Sequence, residues 1–494
     1  MPAPAGRTWH RLSCYEEPLL TPHPPAPRAL LFDLDGVLID STHVHAEAFR
    51  EVLRGVGVDG FEYGPYAGMR TQEVIRAELR RGGCLDSDAL VARLAAAKSA
   101  LAAQRLASSN PVFPHALDVL ERLSAAFPLA LVSSGSESSV RRFVDSNGLY
   151  GLFGAVVHGS DVTNAKPAPD PYLEAARRLG VDPGNGLVLE DADSGEASAR
   201  AAGCAVWRIH RDFTIPDLPQ RLGLNRYARV VTRQDPVPPE RIDPNSWSAV
   251  IPAAGRGTRL GSSLPKILFE VAGRSILDWL LDLLLPRCAR VVIVGAPSSA
   301  EEIGRAAARR SPGVSIAVQP EPIGMADAIE RGLAFVETDS VLTIWGDQAA
   351  VREESIDFSM RLHRHACALA TIPTLWRHDP YIHFERDASG AITAVRQARE
   401  GDAMPVEGES DSGVFLFRTR TLRRQLRSMS FDGSGLGRRT GERNLLPLIP
   451  RLDSLPGNVI SARIMSDEES VGANTPGDAH FLTDVLSARI RSGA

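Results

Sequence analysis

The stretch Ile251–Gly273, IPAAGRGTRLGSSLPKILFEVAG, decides how the second half of the chain is read. An apolar run, Ala249–Ile251, reads as a short buried strand that opens into a loop with Gly255 and Gly257 two apart. Glycine there lets backbone N–H groups approach a phosphate with no Cβ in the way, and it tolerates positive φ. Arg259 and Lys266 follow within one loop's reach and can neutralise a triphosphate. An arginine fork grips oxygens in pairs, whereas a lysine acts as a point charge. Gly255, Gly257 and Thr258 are the expected phosphate contacts, with Arg259 and Lys266 as the catalytic cations. The loop lacks the Gly-Lys-Ser/Thr of a P-loop and is not a dinucleotide fingerprint.

AAGRGTRLGSSLPK resembles the signature of the sugar-1-phosphate nucleotidyltransferases. Its continuation KILFEVAGRSILDWLLDLL is similar to the uridylyltransferase half of the N-acetylglucosamine-1-phosphate uridylyltransferases. The resemblance covers roughly the second half of the chain and implies further residues. Asp347 in TIWGDQAAV and Asn474 in SVGANTPGD match the family's Mg²⁺ ligands, and Gln319 and Gly324 in VQPEPIGMADAI lie where its members contact the base. The implied reaction is in-line attack by a phosphate-monoester oxygen on the α-phosphorus of an NTP, with UTP or CTP the expected donor. Charge neutralisation and positioning carry such a step, without a side-chain nucleophile. Met325 and Pro322 replace the expected Thr and Gln beside the base, and Asp411 stands in place of an acceptor-binding Asn. The base and the acceptor stay open.

The 494 residues suggest two to four domains at ~100–200 residues each. Hydrophobic content of 44% and charged content of 23% suit a globular chain with material for two cores. A net charge of −5 gives no electrostatic footprint for nucleic acid or an anionic membrane. No run approaches ~18 apolar residues, and the proline-containing start lacks the apolar core of a signal peptide. The five cysteines are scattered and form no Cys-x-x-Cys pair, which points to a reducing compartment, expected to be the cytoplasm.

Residues 1–27 read as a loose proline-rich arm. ALLFDLDGVLID, from Ala29, is a buried strand running into an acidic loop, and a helical block follows from His43 to Leu106. Strand-like runs return at Leu129–Val132, Ala155–Val157, Leu187–Leu189 and Ala205–Ile209. Strands alternating with helices predict a doubly wound parallel sheet, with the helical block (about 43–108) inserted as a cap. The proline-rich segment Arg211–Trp247 holds a further possible edge strand at Tyr227–Thr232, and a boundary is expected at about 236–246. The expected fold is α/β: two doubly wound Rossmann-like domains at 28–235 and 247–494, the second with a mixed sheet, and a helical cap inserted in the first.

Asp33-Leu-Asp35-Gly-Val resembles motif one of the haloacid-dehalogenase-like phosphatases and phosphomutases. Ser133 ending LALVS, Lys166 in NAKPAPDPY, and Glu190-Asp191 ending LVLED continue the family's motifs in order. The resemblance implies Asp33 as nucleophile and Asp35 as general acid and base, with Ser133 and Lys166 holding phosphoryl oxygens. Converging carboxylates stay ionised together only around a cation, so Asp33, Glu190, Asp191 and the carbonyl of Asp35 are the expected Mg²⁺ nest. His45, Arg70 and Lys98 fall roughly where β-phosphoglucomutase-like members carry cap contacts. Hydrolysis and phosphoryl migration are both compatible with the core motifs. A rival reading from another class makes one half a binding or regulatory module.

Overall fold

The computed structural model describes residues 27–109, 111–149, 151–210, 214–224, 228–255, 260, 264–455 and 459–492. Two sheets organise it. The first consists of β1 (Ala29–Asp33), β2 (Leu129–Val132), β3 (Ala155–Val157), β4 (Gly186–Glu190) and β5 (Ala205–Arg208), all parallel, in the order β3-β2-β1-β4-β5. β1, β2 and β4 are buried along their whole length, as central parallel strands covered by helices on both faces must be. From β1 the chain proceeds to β2 on one side and later to β4 on the other. Loops therefore diverge at the carboxyl end of β1 and leave a crevice there.

The helical block forms a separate cap of three helices, Thr42–Arg54, Thr71–Arg81 and Asp88–Ser109. These enclose their own small core around Phe49, Phe61, Ile75, Leu79 and Val91. The expected cap is thus present, inserted between β1 and β2.

The second half contains β6 (Val230–Val231), β7 (Trp247–Pro252), β8 (Glu270–Val271), β9 (Arg274–Ser275), β10 (Arg290–Gly295), β11 (Val314–Val318), β12 (Ser340–Ile344), β13 (Ala370–His378), β14 (Ile382–Arg386), β15 (Ile392–Gln397), β16 (Glu407–Asp411), β17 (Val414–Arg418) and β18 (Val459–Arg463). The large sheet runs β11-β10-β7-β12-β17-β13-β18-β6, with β16 added on β13. It is mixed, because β17 lies antiparallel to both β12 and β13. β8–β9 and β14–β15 are hairpins outside it. β7 lies between β10 and β12 as β1 lies between β2 and β4, so a second crevice opens at its carboxyl end.

The strand at Val230–Val231 does not extend the first sheet. It pairs in parallel with β18 of the second, where Arg229 meets Asp453 and Arg233 donates to Ser355 at 2.7 Å. Val237 and Ile242 also pack on the second core, whereas Leu218 and Leu224 belong to the first. We therefore propose that the division between the halves falls after Leu224, ahead of the expected 236–246.

The halves meet through helix Thr419–Asp432 of the second and helix Ala116–Ser124 of the first. The buried Glu121 carboxylate accepts the N–H of Thr421 at 2.9 Å and its hydroxyl at 2.8 Å, while Arg424 pairs with Asp118. Cys367, from the second half, is buried in the first half's apolar cluster. Glu121→Ala leaves two buried donors unpaired, at about 1–3 kcal/mol each. The expected result is a melting temperature several degrees lower, with both halves losing structure together on heating. An unchanged melting curve would show that this contact contributes nothing.

Candidate active sites

The first site stands at the carboxyl ends of neighbouring strands. Asp33 closes β1 and Glu190 closes β4, set side by side by the register that pairs Phe32 with Leu189. Oxygens of Asp33, Glu190 and Asp191 all lie within 4.8 Å of one another. Buried Lys166 donates to Glu190 Oε1 at 2.6 Å and also to Asp33. The Tyr172 hydroxyl donates to the same Glu190 oxygen at 2.7 Å, and Glu190 Oε2 accepts the N–H groups of Asp191 and Ala192. Two glycines make room for the acids. A Cβ on Gly195 would fall 1.7 Å from Glu190 Oε1, and one on Gly36, at φ +82°, 1.9 Å from Asp191 Oδ2. Ser133 follows β2 directly, is buried, and its Oγ accepts the N–H of Gly135 at 3.0 Å.

Two of the three carboxylates, Asp33 and Glu190, share the Lys166 ammonium. Burial, reinforced by Glu190, raises Asp191 to about 7. Burial also raises Asp33 well above the usual carboxylate range, with Lys166 opposing and Glu190, Asp191 and Asp35 adding to the rise. For Lys166, burial works to discharge the ammonium, but Asp33 and Glu190 outweigh it and hold its proton. The nest is short of positive charge, and its donors are hard oxygens. These residues fit Mg²⁺.

Asp35 turns its carboxylate away from this nest and towards the cap. It accepts from Ser41 Oγ at 2.5 Å and from His45 Nε2 at 2.9 Å, and Lys98 Nζ lies 2.8 Å from His45 Nδ1. With the Lys98 ammonium donating to Nδ1, the imidazole carries its own proton on Nε2 and donates it to Asp35. Burial works to raise Asp35, but His45, Ser41 and Lys98 outweigh it and bring the carboxyl to about 2. Burial lowers Lys98 to about 8 against the pull of Asp35, and its ammonium stands 4.4 Å from the Phe49 ring centre. His45 and Lys98, read from the sequence only as cap contacts, therefore form a chain to Asp35. Lys98 loses its charge as pH rises through about 8, so a reaction run at Asp35 should slow there. Lys98→Met should remove that limb and slow the reaction about tenfold, as a pH–rate profile would show.

Arg70 does something different. Its guanidinium donates to the carbonyls of Gly159, Val162 and Thr163 at 2.7–3.0 Å. Ser134 and Ser194 of the core reach the cap carbonyls of Gly68 and Ala67 at 2.8 and 2.7 Å. The cap is latched over the acids.

In the second half, Lys266 donates to Asn474 Oδ1 at 2.7 Å and to Asp347 Oδ2. Three residues expected from separate motifs thus converge, Lys266 and Asn474 being 208 positions apart. Asp347 follows β12, and Gly472 packs so closely that a Cβ there would lie 2.8–3.0 Å from the Asp347 carboxyl. Asp347 Oδ1 is buried without a hydrogen-bond partner. An orphaned carboxylate oxygen beside an amide oxygen fits Mg²⁺, which takes one or two protein oxygens and completes its shell from phosphates and water.

Gly255 has open space where a Cβ would stand, and its φ lies outside the left-handed region. Close backbone approach, not positive φ, is the reason left for glycine there. Gly257, Thr258 and Arg259 lie outside the described residues. Gln319 and Gly324 do meet, since Gln319 Nε2 donates to Gly324 O at 2.9 Å and to Asp327 Oδ2 at 3.0 Å. Neither lines the cavity of about 510 Å³ that opens beside Asp347 and Asn474. Met325 and Asp411 do, whereas Pro322 is exposed. Burial raises Asp411 to about 6. The sequence reading passed over Tyr172 and Ser41 in the first site and Gln348 and Arg377 in the second. Tyr172 ends the quoted NAKPAPDPY and Gln348 directly follows Asp347, so both lay inside motifs already marked.

The fold and these two sites define a haloacid dehalogenase-like hydrolase joined to an NTP transferase. Residues 27–203 match the haloacid dehalogenase-like hydrolase family, to which the chain belongs, and residues 249–411 match the MobA-like NTP transferase domain. The chain is therefore an enzyme of two activities, hydrolase and nucleotidyltransferase. The first half is similar to the fructose-1-phosphate phosphatase YqaB of Escherichia coli, 37% identical over 182 residues (35% of this chain, 92% of that protein). It is also similar to protein CbbY of Rhodobacter capsulatus, 31% identical over 202 residues (38% of this chain, 88% of that protein). The second half is similar to the bifunctional protein GlmU of Desulfitobacterium hafniense, 29% identical over 255 residues (50% of this chain). The chain spans 53% of the length of that relative. Among the described residues no helix is long and apolar enough to cross a membrane.

Proposed function

We propose that the first half hydrolyses a phosphate monoester with Mg²⁺, and that the second transfers a nucleotidyl group from UTP or CTP to a sugar or polyol phosphate, releasing pyrophosphate. The observation that carries this is the pair of separate acidic centres, each gripped by its own lysine at the carboxyl end of a sheet. In the first, Asp33 attacks phosphorus and forms an aspartyl-phosphate, while Asp35, ionised at rest, passes the proton it receives from His45 Nε2 to the leaving oxygen and then takes a proton from the attacking water. Ser133 and Lys166 steady the phosphoryl oxygens. Asp33, Glu190, Asp191 and the Asp35 carbonyl would hold Mg²⁺, which would offset the burial and the neighbouring carboxylates that raise Asp33 and so favour its ionised, nucleophilic form. In the second, Lys266 and Arg259 bind the triphosphate, the glycine loop supplies backbone donors, and Asp347 and Asn474 hold the metal. Gln319 and Gly324 flank the base. The four described cysteines are unpaired, which supports a cytoplasmic setting.

The latched cap favours a second reading of the first half, a phosphomutase, because phosphoryl migration must keep water from the aspartyl-phosphate. The YqaB resemblance favours hydrolysis. Incubation with Mg²⁺, each NTP and a panel of mono- and bisphosphorylated metabolites, following phosphate and pyrophosphate together, tests all of this. Free phosphate supports hydrolysis, and an isomerised monophosphate without release supports the mutase. No pyrophosphate from any pair would overturn the transferase reading.

A further inference from the structure

The cavity beside Asp347 contains unsatisfied groups other than the expected metal ligand. Gln348 is 5% exposed, and its Oε1 has no hydrogen-bond partner. Its amide packs against Gly413, where a Cβ would lie 2.8 Å from Nε2 and 2.7 Å from the Trp345 ring. Gly413 N–H in turn donates to Asp411 Oδ2 at 3.1 Å, which places the Asp411 carboxyl at the same corner. Arg377 lines the same cavity, with a buried Nε that has no partner, and its charge acts on Asp411. Buried polar groups are expensive unless paired, and two unpaired atoms on one wall, Gln348 Oε1 and Arg377 Nε, beside the Asp411 carboxyl are matched to something that enters.

Resting on the transferase reading above, we propose that Gln348, Asp411 and Arg377 read free hydroxyl groups of the phosphorylated acceptor, so that this domain takes a polyhydroxylated sugar or polyol phosphate and disfavours N-acylated sugars. The wall offers acceptor oxygens from Gln348 and Asp411 next to a donor from Arg377. A hydroxyl both donates and accepts and satisfies such a mixed corner. An N-acyl group keeps one N–H donor, but its added carbonyl oxygen only accepts and would stand against the Asp411 carboxylate. Sites built to bind a substrate hydroxyl reject analogues lacking it strongly, because the protein's own buried groups are then left unpaired.

The test uses the full chain, Mg²⁺ and the active NTP, with sugar 1-phosphates and polyol phosphates each paired with a deoxy and an N-acetyl counterpart. Wild type should turn over the hydroxylated acceptors at least about tenfold more efficiently than either counterpart. Gln348→Leu and Asp411→Asn should each raise the acceptor KM about tenfold and erase much of that preference, with the NTP KM and the phosphate release of the first half unchanged. The unchanged NTP KM shows that the second half is folded, and the unchanged phosphate release shows the same for the first. Variants that keep the wild-type preference, or a wild type that prefers the N-acetyl acceptor, overturn this proposal alone. No pyrophosphate with any acceptor overturns the transferase reading and this proposal together.

Discussion

Asp33→Asn is expected to lower phosphate release by about 10⁴-fold or more, because a side-chain amide cannot form the phosphoenzyme. Pyrophosphate formation from a supplied phosphate monoester and NTP should stay within about twofold of wild type. The reason is geometric. Asp33, Glu190, Asp191 and Lys166 form one closed set on the first sheet, and Asp347, Asn474 and Lys266 form another on the second. The substitution should also leave the metal-free protein no less stable. Asp33 is held well above its ordinary pKa by burial, and removing one of three crowded carboxylates relieves repulsion while Lys166 keeps Glu190. A lower melting temperature in the absence of Mg²⁺ would contradict that account. Loss of nucleotidyl transfer in this variant would contradict the independence of the two sites.

Lys266→Ala is the complementary experiment. Lys266 is the described cation that bridges the Asp347 and Asn474 oxygens, and in the proposed reaction it turns to the departing pyrophosphate. Nucleotidyl transfer should fall about 10²–10³-fold, the usual scale for losing one preorganised charge at a reacting phosphate. Lys266→Arg should recover only part of this, since a planar fork does not reproduce a compact ammonium between two oxygens. Phosphate release by the first half should not change. Full transferase activity in Lys266→Ala would remove the lysine from the mechanism and leave its pairing with Asp347 a structural contact.

Which parts of this were legible in advance follows from how far each depends on local pattern. Strands such as Ala29–Asp33 and Leu129–Val132 are continuous apolar runs because parallel strands are covered on both faces, and runs of that kind can be read directly. The acids at their ends were marked by motif. The Val230–Val231 strand was misplaced because two residues carry no information about a partner. Its pairing with β18 depends on a strand more than 200 positions away and on the Arg229–Asp453 contact. Asp35 was expected to lend its carbonyl to the metal nest and its carboxyl to acid–base work; that the carboxyl meets His45, a residue of the inserted cap, is a contact no local spacing announces.

The sequence by itself determined that there are two α/β units, that each carries an acidic centre with its own lysine, and that a helical insertion follows the first strand. Periodicity suffices for the units and the insertion, while the acids and lysines were carried by short motifs that resemble those of known families. Only the tertiary structure decided that Lys98 reaches Asp35 through His45, that the cap is latched by Arg70 onto carbonyls some 90 positions away, and that Gln348, Asp411 and Arg377 line one cavity. Those facts come from packing between distant segments. The cost of burying an unpaired polar group fixes where such side chains point, and it appears only once the neighbours are in place.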